Sequence, residues 1–185
     1  MMIQTHHTPL RHKRQQAGFF IENMSFALII SAILIAAAIF MFINMRRNAS
    51  VQENATQINY IASQARKLYG SRNVYGDVTT AIAARSIVPV ELRDGAAATA
   101  SNKYGAPLTF AAANGTSTND LLNMTWANVP REECEDLVVS TSDLMRRITV
   151  GGTDVKPLDA PISTAALSTQ CATGNTVSIQ YSIGR

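Results

Sequence analysis

Histidine, cysteine and paired carboxylates are the side chains here that could do chemistry, and their placement argues against catalysis. The histidines are His6, His7 and His12, all ahead of a long apolar run. The stretch "HHTPLRH" could hold a metal in isolation, but a solvated tail is the simpler reading. No imidazole follows it, which removes a histidine-based triad and most general-base schemes from the rest of the chain. Glu132 and Glu133 are adjacent, yet they stand where a helix is expected to begin, and acids there complement the helix dipole. Neither a Walker motif nor GxGxxG is present. The Asn-x-Thr triplets at Asn54, Asn114 and Asn123 are expected by chance.

Only two cysteines occur, Cys134 and Cys171, with 36 residues between them. That spacing is far too wide for a CxxC redox motif. In an oxidising compartment an even pair predicts a disulfide, whose loop closure is worth roughly 4 kcal/mol. Two separately buried thiols are the competing reading.

One more residue calls for an explanation. Glu22 lies in "QQAGFFIENMSFALIISAILIAAAIFMF", just after a short basic tail. Residues 23–45 carry no charge, and about 20 residues of helix cross a hydrocarbon core. A plain signal anchor gains nothing from an acid at its edge. A carboxylate in that setting needs a partner charge, because an unpaired one is heavily penalised. A newly freed α-amino group, of the same chain or a neighbour, would supply it and would favour one axial offset between packed helices.

Charge patterning separates the tail from the rest. The chain has 16 Lys and Arg against 13 Asp and Glu. Arg11, Lys13 and Arg14 precede the apolar run; without them the two signs are equal at 13 each. A neutral remainder gives no general attraction for nucleic acid, and Arg46–Arg47 and Arg146–Arg147 are too small to make a basic face. The basic tail leans toward a cytoplasmic position, although Arg46 and Arg47 at the far end weaken the bias.

The elements that must position these residues follow from periodicity. Residues 19–69 contain neither Pro nor Gly, so one helix of roughly 75 Å is expected. In its second half Val51, Ala55, Ile58, Ala62, Ala65 and Tyr69 form an apolar stripe, with Gln52, Asn54, Gln57, Gln64 and Lys67 elsewhere. The stripe's small alanines favour close packing on a sheet. Gly70 ends the helix. Asp77 is expected to cap a short helix running to about Arg85. Strands are expected at residues 108–112 and in "LLNMTWANV", with the loop "NGTSTND" between them. Pro130 suits a first helical position, opening a helix to about Ser140. "RRITV", Gly151, Gly152 and "TDVKPL" read as a hairpin, and residues 161–170 as a weak helix. "TVSIQYSI" sets Val177, Ile179 and Tyr181 against Ser178, Gln180 and Ser182, a half-buried strand. Trp126 is expected in the core. The expected architecture is α+β: an antiparallel sheet with helices on one face, the stripe of the long helix lying against it.

A basic leader, a small-residue junction, an apolar run and an early glutamate, "HKRQQAGFFIENMSFALIISAILIAA", resemble a type IV prepilin. The stretches "NATQINYIASQARKLYG", "VYGDVTTAIAARSIVP" and "NKYGAPLTF", with the paired cysteines, resemble the type IVb class, which includes the bundle-forming, toxin-coregulated and conjugative thin-pilus subunits. The resemblance implies the type IV pilin fold, with a disulfide between Cys134 and Cys171 stapling the C-terminal region. It implies removal of the leader by a prepilin peptidase, with methylation of the new amine. It gives Glu22 a role in subunit register as the fifth mature residue. A cut between Ala17 and Gly18 makes Glu22 fifth; the more usual cut after glycine makes Phe19 first and Glu22 fourth, so the junction stays open.

The organisation that follows is a leader over 1–17, a transmembrane and filament-core segment over 18–45, the amphipathic half of the same helix over 46–69 and a head over 70–185. The function implied is that of a major structural subunit, serving adhesion, aggregation or mating contact, with no enzymatic activity and no cofactor. The implied partners are further copies of the chain in a helical homopolymer, the peptidase, the inner-membrane assembly machinery, an outer-membrane secretin and, before assembly, the membrane. The head would lie in the periplasm and then on an extracellular pilus. A minor pilin, a type II secretion pseudopilin and an uncleaved signal-anchored binding or sensor protein remain as alternatives.

Overall fold

The computed structural model describes residues 17–70, 75–95 and 98–184, with side chains from Met24 onward. Helix α1 spans Ala17–Tyr69. The leader lies outside the described residues. Two compact units divide the chain, one through Arg46 and one from Arg47.

In the first unit every apolar side chain between Met24 and Met45 is exposed. Phe26 and Phe40 are each 68% exposed, which no water-facing helix tolerates over such a length. Arg46 lies over the Phe42 ring, 4.7 Å from its centroid.

The second unit begins with the amphipathic half of α1. Val51, Ala55, Ile58, Ala62 and Ala65 are buried as the stripe predicts, and Tyr69 packs partly buried at its end. Ile61 and Asn54 join the buried face. Asn54 corrects the expectation that it would stay wet: its Nδ2 donates to the Ser50 carbonyl at 2.8 Å, so a helix oxygen one turn back replaces water.

Helices α2 (Thr80–Ser86), α3 (Arg131–Thr141) and α4 (Thr164–Cys171) and strands β1 (Thr109–Ala113), β2 (Leu121–Pro130), β3 (Arg147–Val150), β4 (Thr153–Lys156) and β5 (Thr176–Ile183) complete it. The sheet is antiparallel in the order β1-β2-β5-β3-β4, so the last strand lies at the centre. The pleat sorts residues into rows. Phe110, Met124, Tyr181 and Ile148 sit side by side across four strands and face the core. Thr109, Thr125, Gln180 and Thr149 make the neighbouring row on the polar face. Trp126 is fully buried, in one cluster with the α1 stripe.

Three local expectations need correction. Thr79, not Asp77, caps α2; its side chain accepts from the Ile82 N–H, as the N-cap position requires. Pro130 precedes α3 instead of opening it: with ψ at 141° it ends β2, and the Arg131 N–H donates to the Asn175 carbonyl. Ser182 is buried although the alternation sets it outward, because its hydroxyl donates to Asn123 Oδ1 at 2.7 Å on the adjacent strand.

Candidate functional site

The cysteines meet. Cys134 on α3 and Cys171 at the end of α4 form a disulfide with a Cα–Cα distance of 5.7 Å. Both are buried, so the bond fixes the α3–α4 pair from within.

The acids at the start of α3 do more than complement its dipole. Glu133 Oε2 accepts from Ser50 Oγ at 2.8 Å and from Tyr104 Oη at 2.6 Å. One carboxylate thereby joins α1, α3 and the 98–108 loop. Burial, then the hydrogen bond to Glu133, pushes the Tyr104 phenol well above its usual range. One turn on, Asp136 pairs with Arg47 at 2.9 Å. Lys103 pairs with Glu53 on α1. The turn at residues 142–145 is held by cations: Lys156 Nζ donates to the Ser142 and Met145 carbonyls at 2.6 and 2.7 Å, and Arg66 to that of Leu144. The amphipathic half of α1 is therefore bound to the sheet unit by polar contacts as well as by its stripe.

A second cluster was not legible beforehand. The Asp120 carboxylate accepts from the backbone N–H groups of Gly115, Thr116 and Ser117 at 2.5, 2.9 and 3.2 Å and from the Thr116 hydroxyl at 3.0 Å. Burial alone would raise its pKa, but these donors outweigh burial and hold it at about 2. Arg146 stands 3.8 Å from Asp120 and forks onto Asp159. The loop after β1, the start of β3 and the turn after β4 meet there.

The sheet's outer strands are partly closed. Thr80 Oγ1 both donates to the Phe110 carbonyl and accepts from its N–H, at 3.1 and 2.9 Å, on the free side of β1. On β4 the Val155 carbonyl accepts from the Ser163 N–H at 2.8 Å. Strand addition at these edges is disfavoured.

Ala17, Gly18, Phe19 and Glu22 all lie within α1, and their side chains are outside the described residues. Among the described residues no group of three or more metal-ligating side chains occurs.

The family model for the PilS N-terminal region matches residues 47–182. The chain belongs to the PilS family. The match spans the second half of α1 and nearly all of the sheet unit, the parts whose packing is described above. Two solved structures are similar to this PilS-family chain. TcpA, a type IV pilin from Vibrio cholerae El Tor biotype, shares 16% identity over 72% of this chain and 98% of its own, with a TM-score of 0.52. A type IVb pilin from Salmonella typhi shares 19% identity over 70% of this chain and 97% of its own, with a TM-score of 0.48. The first shows a shared fold, that of a type IV pilin. No curated protein matches the chain. The family and the fold bear out the resemblance to type IV pilins.

Proposed function

We propose that this PilS-family pilin is the major subunit of a type IVb pilus and that its work is assembly. The observation that carries the reading is the continuous exposed apolar surface of α1 between Met24 and Met45. That surface needs lipid before assembly and the same helix of other copies afterwards. Leader removal by a prepilin peptidase at Ala17–Gly18 or Gly18–Phe19 frees the amine. Glu22 pairs with an amine of this kind and sets the register between packed helices. The inner-membrane machinery and an outer-membrane secretin carry the growing filament outward. The head then forms the outer surface, which serves adhesion, aggregation or mating contact.

The test is Glu22→Ala in cells that make the filament. Leader removal should persist while sheared filaments disappear. Wild-type filament yield would remove the register role. Abundance separates this reading from a minor pilin or pseudopilin, since a major subunit dominates the sheared material.

A further inference from the structure

Asn114 and Gly115 are adjacent at the start of the loop between β1 and β2, and Asn114 is exposed. An Asn-Gly pair is chemically labile, because a residue without a side chain lets the following backbone nitrogen approach the asparagine amide carbon. The nitrogen gives up its proton and adds to that carbon. The bond to the side-chain nitrogen breaks, and ammonia leaves with the proton. Water then opens the resulting succinimide at either carbonyl, giving aspartate or isoaspartate. No oxidant, metal or second protein is needed.

Both reacting groups are engaged in this fold. The attacking Gly115 N–H donates to Asp120 Oδ1 at 2.5 Å. The Asn114 side-chain oxygen accepts from the Asn119 N–H at 2.8 Å. Space beside the glycine is tight: a Cβ at residue 115 would meet both Asp120 carboxylate oxygens and Leu121 Cδ1 at 3.0 Å, so these side chains would have to give way to a larger residue. The loop thus packs closely around the very dipeptide that is prone to react. It keeps the nitrogen against a carboxylate, which opposes loss of the proton.

We propose that Asn114 is a self-modification site held closed by Asp120, and that local opening of the 114–120 loop commits it to irreversible conversion. Isoaspartate would insert an extra carbon into the backbone beside Gly115 and bring a second negative charge to the Asp120 carboxylate. A reformed loop would no longer fit its four-donor arrangement.

The experiment uses the full chain in detergent, incubated at mildly alkaline pH. Conversion at Asn114 is followed by peptide mapping and isoaspartate-specific methylation. Asp120→Ala should convert about tenfold faster or more, the factor set by losing one hydrogen bond to a charged group. Asp120→Asn should fall between that variant and the wild type. An unchanged or slower rate in Asp120→Ala would overturn the proposal; a slower one would make Asp120 the base that promotes the reaction. If that variant does not fold, the wild-type chain decides: faster conversion in urea than in the folded state is expected, and equal rates would overturn the proposal.

Discussion

Thr80 Oγ1 lies 2.9 Å from the Phe110 nitrogen and 3.1 Å from its carbonyl oxygen, so one hydroxyl satisfies both backbone groups on the open side of β1. Thr80→Val keeps the shape and removes both bonds. The expected loss is about 1–2 kcal/mol, with more aggregation through the freed edge. Urea midpoints and light scattering check it, and an unchanged midpoint would argue against the seal.

Cys134→Ser opens the only cross-link between α3 and α4. Removing such a bond costs about 2–5 kcal/mol in small domains. Limited proteolysis of the variant should begin in the α3–α4 region, and wild-type resistance there would contradict the structural role of the bond.

The Glu133 carboxylate couples Ser50 on α1 to Tyr104. Glu133→Ala leaves two half-buried hydroxyls without their acceptor, a loss of about 1–3 kcal/mol. A double-mutant cycle with Tyr104→Phe should show that the two changes do not add, because the residues share one hydrogen bond. Simple additivity would mean that the bond contributes nothing.

Asp120 sets a pH dependence whose sign can be worked out. Its folded pKa is about 2, below the 3.8 of an unperturbed aspartate, so its contribution is present above pH 4 and is lost as pH falls through the folded value. Denaturation midpoints of the wild type should therefore drop between about pH 4 and pH 2. Asp120→Asn should flatten that part of the profile. An identical profile in the variant would assign the acid sensitivity elsewhere.

The pattern of successes in the sequence has physical causes. Val177, Ile179 and Tyr181 announced β5 because one face of that strand is buried and its period is 2. The disulfide was readable because only one pairing of two cysteines exists. Asn54 misled, since a polar side chain that bonds its own helix is indistinguishable in sequence from one that faces water. The Asp120, Arg146 and Asp159 cluster was invisible because the fold, not the chain, makes them neighbours. The segment "NGTSTND" read correctly as a loop, but nothing in its composition said that its last residue organises it. Glu133 likewise looked like a helix-start charge until Tyr104 and Ser50 were placed beside it.

A processed filament subunit, as proposed above, must lack its leader in the assembled material. Intact mass and N-terminal sequencing of the protein from membranes and from sheared surface material test it most directly. A start at Gly18 or Phe19 in abundant sheared filaments is expected, which also fixes the position of Glu22 in the mature chain. A start at Met1, confined to membranes, would contradict it.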